Sequence, residues 1–252
     1  MGCSASNNMA SHPGMNNVEL SASKWGGCLE LMTKEELDRT ISEEAAKAPV
    51  LLFVGYGSSA MFADTQAALD SMQPLLSDVQ ARSNGQPFTV VYGGDPSDAN
   101  APSIGYFMTL LKRQYHCQIV AITVGSSSFE SDWAYVYRSP EDFDANGNTL
   151  YGGIDAERQP VGATRYYLGP GFIEPLPGKD KASLSGLVVL GGGKVAVQEL
   201  DYADKKGVKW HYLPCAAKNE RAYNSTFGPV QDWVAGKLGA EPPTGEITSG
   251  PL

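Results

Sequence analysis

The chain has 252 residues, with 19 Lys and Arg against 28 Asp and Glu, a formal net charge of −9. That length fits one large domain or two small ones with a substantial core, and 42% hydrophobic against 19% charged residues excludes a disordered polyanion or a coiled coil. No apolar run approaches the roughly 18–20 residues of a spanning helix, and the acidic balance argues against a general nucleic-acid binder, whose affinity rests on neutralised phosphates.

Residues 1–24 are polar and rich in Ser, Asn and Gly, and read as an arm. They open Met1-Gly2-Cys3-Ser4-Ala5-Ser6, the N-myristoylation pattern, with Cys3 able to take a palmitoyl group. One acyl chain attaches a protein only marginally, so Gly2 and Cys3 together would be needed for stable membrane association. The other reading is a flexible polar leader. No apolar signal region follows, which points to a cytoplasmic protein, on the cytoplasmic face of a membrane if acylated. Cysteines 3, 28, 117 and 215 form no close-spaced pair, so free thiols in a reducing compartment are expected, with no metal and no cofactor.

Thr33-Lys34-Glu35-Glu36 is a capping box that predicts a helix to about Lys47, stopped by Pro49. Val50-Leu51-Leu52-Phe53-Val54 is a continuous apolar run, the mark of a strand buried on both faces. It ends in Gly55-Tyr56-Gly57-Ser58-Ser59. Residues 61–82 have helical spacing, with Pro74 set to kink or divide them. A second strand, Phe88 to Tyr92, stops at Gly93-Gly94-Asp95; a helix from about Pro102 to Tyr115 and a strand from Gln118 to Val124 follow. Regularity then breaks over about 126–182, an aromatic-rich stretch read as an inserted hairpin or lid beside the carboxyl edge of the sheet.

Leu187-Val188-Val189-Leu190 resumes the sheet, Gly191-Gly192-Gly193 turns the chain, and Lys194–Lys206 reads as a helix. A strand over 208–213 and a short helix over about 229–238 precede a loose tail, 239–252. The alternation predicts a single Rossmann-like α/β domain, 25–238, with three layers and a mainly parallel sheet.

Three strands of that plan end in small-residue loops: Gly55, Gly57 and Ser58; Gly93, Gly94 and Asp95; Gly191, Gly192 and Gly193. Ligands of open α/β sheets bind outside the carboxyl ends of the strands, where glycine lets amides approach a phosphate and a helix N-terminus attracts it. A nucleotide or phosphosugar site is therefore expected. Lys194 could contact the phosphate, and Asp95 either bonds ribose hydroxyls or closes an Asx turn.

The run Gly191-Gly192-Gly193-Lys194-Val195-Ala196-Val197-Gln198-Glu199 resembles the Pro-Gly-Gly-x-Gly-Thr-x-x-Glu signature of Lonely Guy-type phosphoribohydrolases, within the SLOG superfamily. Gly192, Gly193 and Glu199 match; Gly191 replaces the proline, and Val195-Ala196 replace Gly-Thr. The resemblance covers about 49–125 and 185–215. It implies a nucleotide-derived ligand, a catalytic role for Glu199, Arg165 as a stand-in for an Arg-Lys pair not found upstream, and a homodimer. Two activities stay open: N-glycosidic hydrolysis of a nucleoside monophosphate, or a non-catalytic nucleotide or ADP-ribose sensor; a membrane-tethered interaction module rests on Met1–Ser6 alone. Asp142-Phe143-Asp144-Ala145-Asn146-Gly147 copies the opening of a calcium loop, but Gly153 stands at the twelfth position, so a hairpin turn is expected.

Overall fold

The structure, a computed structural model, describes residues 24–25, 27–57, 59–125, 132–219, 228–239 and 246–250. Gly2, Cys3, nearly all of the arm, and Ser58 lie outside them.

Two short antiparallel strands, β1 (Lys24–Trp25) and β2 (Cys28–Leu31), come first. The Thr33 hydroxyl then accepts the Glu36 N–H and opens α1 (Lys34–Ala45), while the Glu36 carboxylate accepts the Met32 N–H. β3 (Val50–Gly55) is buried along almost its whole length. The expected helical stretch after it divides at Met72 into α2 (Thr65–Ser71), capped by Asp64, and α3 (Gln73–Arg82). Pro74 is the cause, sitting in the first turn of α3, where a missing N–H costs nothing. β4 (Phe88–Tyr92), α4 (Ile104–Gln114) and β5 (Cys117–Val124) follow as the pattern predicts.

The aromatic segment supplies β6 (Trp133–Ser139), the hairpin β7 (Asp142–Phe143) and β8 (Thr149–Leu150), and the short α5 (Thr164–Tyr167). The calcium-like run closes as a hairpin: Asp144 accepts the Asn146 and Asn148 N–H groups at 2.8 Å. No metal-competent cluster occurs among the described residues. β9 (Gly186–Leu190), α6 (Lys194–Lys205), β10 (Trp210–Leu213), α7 (Gly228–Leu238) and β11 (Thr248–Ser249) complete the chain.

Nine strands form one sheet in the order β1-β2-β6-β5-β4-β3-β9-β10-β11, antiparallel only at its two outermost pairs. Leu51 and Phe53 of β3 point into a core with Leu69, Leu76 and Phe107 of α2, α3 and α4. Val50, Leu52 and Val54 point the other way, to Leu37, Leu200 and Val234 of α1, α6 and α7. This is the expected Rossmann-like three-layer α/β fold.

Two stretches read as lying outside the sheet contribute strands to it. β6 pairs parallel with both β5 and β2, and its mixed sequence reflects a place near the sheet's margin, where Arg138 meets Glu30 of β2 at 2.9 Å. The tail contributes β11, which pairs with β10 while Gly250 packs against the Trp210 ring. The described cysteines 28, 117 and 215 are free thiols. No described helix is long and apolar enough to cross a membrane.

Candidate functional site

Strand order turns around β3. The chain runs from β3 to β4, β5 and β6 on one side, then returns to lay β9 and β10 on the other. The crevice outside the carboxyl ends of β3 and β9 is therefore the topological switch point, and the three glycine-rich loops converge there.

The third loop is the tightest. Gly191 has φ +59, and a Cβ on it would stand 2.4 Å from the Tyr56 ring. Tyr56 is itself fixed, its hydroxyl donating to the Cys215 carbonyl at 2.7 Å and its carbonyl accepting the Ile104 N–H at 2.8 Å. The Gly191 N–H donates to the Leu213 carbonyl, so this amide serves the fold. The next residues open α6 from Gly193 with no side-chain cap, which leaves the first-turn N–H groups of α6 without a side-chain acceptor. In the second loop Gly94 is also sterically required, since its Cβ would stand 2.3 Å from Thr123 Cγ2.

A cleft of about 460 Å³ opens over the first two of these loops and the start of α6. Gly55 and Gly57 form its floor with Gly93 and Asp95. Ile104 at the start of α4 closes one side, and Val195 and Glu199 of α6 another. The remaining wall comes from the aromatic segment: Thr149 to Gly152, from β8 and the two residues after it, and Tyr167 of α5. Of the stretch expected to lie beside the carboxyl edge, residues 149–152 and Tyr167 line the cleft, whereas Glu174 reaches Lys206 just past the C-terminus of α6 and the Leu184 N–H bonds the Phe172 carbonyl next to the start of β3.

Glu199 is the chemical centre of this wall. Only 2% exposed, it lies in the second turn of α6. Its Oε1 accepts two hydroxyl hydrogen bonds at 2.6 Å, from Thr164 and from Tyr167. Thr164 Oγ1 also accepts the Gly153 N–H at 2.7 Å and lies 3.0 Å from the Tyr167 hydroxyl. Burial pushes the Glu199 carboxyl above the ordinary glutamate range, and the two hydroxyl bonds pull it only partly back. Tyr167 is raised well above an ordinary tyrosine by burial and by the adjacent Glu199, so it stays a donor.

Asp95 is the second acid. Burial raises its carboxyl too, against a hydrogen bond from Ser103, and its Oδ2 lies 3.5 Å from where a Gly57 Cβ would be. Among the described residues lining the cleft there is no Lys, Arg or His.

The structure thus brings Gly55, Gly57, Gly93, Asp95 and Glu199 into the lining of one cleft, whereas Gly94, Gly191, Gly192 and Gly193 lie outside that lining. Lys194 is exposed and outside the lining. Arg165 is not brought to Glu199: its guanidinium pairs with Asp142 at 3.0 Å and bonds the Pro160 carbonyl at 3.5 Å. What sequence reasoning missed is the pair Thr164 and Tyr167. Their i, i+3 spacing places both hydroxyls on one side of a helical turn, but nothing local says that a glutamate 32 residues beyond Tyr167 will meet them.

Comparison of the chain with family models, curated proteins and solved structures gives no match.

Proposed function

We propose that this cleft binds a nucleotide-derived ligand and that Glu199 promotes hydrolysis of its N-glycosidic bond. The observation that carries the reading is the buried carboxyl of Glu199, held by two hydroxyls in the wall of the switch-point cleft. Breaking an N-glycosidic bond builds positive charge on the sugar, which a fixed carboxylate stabilises, and requires a base for the attacking water. A carboxyl raised toward neutrality suits that exchange of a proton better than an ordinary surface acid. For a neutral purine or pyrimidine the leaving nitrogen must also gain a proton, and Asp95, likewise raised, is the second acid in the cleft. The uncapped first turn of α6 offers amide donors to a phosphate. The resemblance of 191–199 to the phosphoribohydrolase signature supports the same roles.

A non-catalytic sensor is the second reading, favoured by the commitment of Arg165 to Asp142 and by Val195-Ala196 in place of Gly-Thr. Incubation of the purified chain with nucleoside monophosphates, followed by chromatography for free base, separates the two. Base release that Glu199→Gln abolishes supports hydrolysis. Thermal stabilisation by a nucleotide or ADP-ribose without release supports the sensor, and no stabilisation by any of them overturns both. The resemblance also supports a homodimer, which sedimentation of the same preparation tests.

We further propose a lipid tether through Gly2 and Cys3, and with it a cytoplasmic-face location, on the pattern Met1–Ser6. Gly2→Ala should then move the protein from the membrane to the soluble fraction of its host cells. Unchanged partitioning rejects the tether.

A further inference from the structure

The lining of the cleft also says which kind of base it suits. Two carboxyls, Asp95 and Glu199, face it, and no cationic side chain does so among the described residues. Three other acids of the aromatic segment and α6 do meet cations: Asp142 meets Arg165, Asp201 meets Lys205, and Asp204 meets Lys237. Once the carboxyls of Asp95 and Glu199 ionise, no cationic side chain of the described lining offsets their charge.

A second observation is independent of charge. Tyr151 is 71% exposed and Val195 45% exposed, and both line the cleft. They are two of only five large hydrophobic side chains exposed among the described residues, and the other three, Met32, Phe143 and Leu238, lie outside the lining. An apolar platform beside a polar floor fits a flat ring whose sugar points inward. A tyrosine face attracts such a ring more strongly when the ring carries positive charge.

Building on the N-glycoside reading, we infer that the cleft selects an N-ribosylated heteroaromatic cation of the pyridinium type over neutral bases. The ring stacks on Tyr151 and Val195, its charge faces the carboxyls of Asp95 and Glu199, and the ribose reaches the glycine loops. The chemistry of such a substrate is also simpler for this site. When the bond between C1′ and the ring nitrogen breaks, its electron pair stays on the nitrogen and neutralises the ring. No proton need be delivered to the leaving group. Water supplies the oxygen that bonds C1′, and its proton passes through the Glu199 carboxylate to solvent, leaving ribose and a neutral base.

The test is calorimetric titration of the full chain with N-ribosylnicotinamide, its 1,4-dihydro form and AMP. The first two differ in ring charge and in aromaticity, which Asp95→Asn tells apart, and AMP reports the underlying reading. The cation should bind at least about tenfold more tightly than the dihydro form, a preference that Asp95→Asn removes in large part. Tyr151→Ala, a change at an exposed side chain, should weaken the cation by about fivefold. AMP binding with no discrimination between cation and dihydro form overturns the inference and leaves the N-glycoside reading standing. No binding of any of the three overturns both. A cation preference untouched by Asp95→Asn also overturns the inference, because it removes the carboxylate field as the cause.

Discussion

Glu199 and Asp204 stand five residues apart on the same helix and have opposite fates. Glu199 faces the sheet and the aromatic segment, where its partners are the neutral hydroxyls of Thr164 and Tyr167, and burial dominates. Asp204 lies at the far end of α6, where the Lys237 ammonium reaches it at 2.6 Å and the Trp210 indole N–H at 2.9 Å. Partial burial pushes Asp204 upward, but those two hydrogen bonds and the nearby ammonium groups outweigh it and hold it below the ordinary aspartate range. The difference lies in what each acid meets. A carboxyl given only hydroxyls is poised to exchange a proton, whereas one given an ammonium becomes structural.

The sharpest way to break this comparison is to neutralise each acid. Glu199→Gln keeps the shape and both hydroxyl neighbours but removes the exchangeable proton, and it should reduce base release by roughly 10²–10⁴-fold. Asp204→Asn should leave the rate of release unchanged. Equal losses in the two variants, measured under single-turnover conditions, would mean that α6 merely holds the fold.

Tyr167→Phe sharpens the same point at smaller scale. The Tyr167 hydroxyl favours the ionised form of Glu199, so its loss raises that carboxyl further. The acid limb of the pH–rate profile should then move to higher pH, with about a tenfold loss of rate on the acid side for each unit of movement. Loss of one buried hydrogen bond also costs about 1–3 kcal/mol of stability, so the displaced limb, rather than a lowered Tm, is the informative readout.

Much of this arrangement is legible in the sequence, and the reason differs by element. Val50–Val54 and Leu187–Leu190 announce strands of the sheet interior, because burial on both faces demands unbroken apolar runs. The glycine loops follow from where those runs stop. Glu199 is reachable from its spacing after Gly193, since five residues of helix past Lys194 bring it to the second turn of α6. β6 is not legible, because Trp133-Ala-Tyr-Val-Tyr-Arg-Ser has half-buried positions and an ion pair to a neighbouring strand rather than an apolar run. The hydroxyl pair is hidden for another reason. Thr164 and Tyr167 meet Glu199 across 35 and 32 residues, a contact that depends on tertiary packing and has no local period. Arg165, the charged neighbour that sequence favours, turns outward to Asp142.

The two acids should also leave opposite marks on stability as pH changes. The folded-state pKa of Glu199 lies above its ordinary value of 4.5, so its contribution is fully present below that value and is lost as pH rises through the raised one. Wild type should therefore lose stability relative to Glu199→Gln on going from acid toward neutral pH, as the buried carboxyl ionises. The folded-state pKa of Asp204 lies below its ordinary 3.8, so its contribution is present above that value and is lost as pH falls through the lowered one. Wild type should gain on Asp204→Asn over the same rise in pH. The Asp204 effect is the smaller: its partner Lys237 is half in solvent, and ion pairs of that kind contribute about 0.2–1 kcal/mol. Denaturant melts of the three proteins from about pH 2.5 to 7.5 should thus give difference curves of opposite slope, the Asp204 curve changing at the acid end and the Glu199 curve at higher pH. Parallel curves would mean that Glu199 meets a positive group in the folded protein, which would undo its reading as the proton-exchanging acid of the cleft.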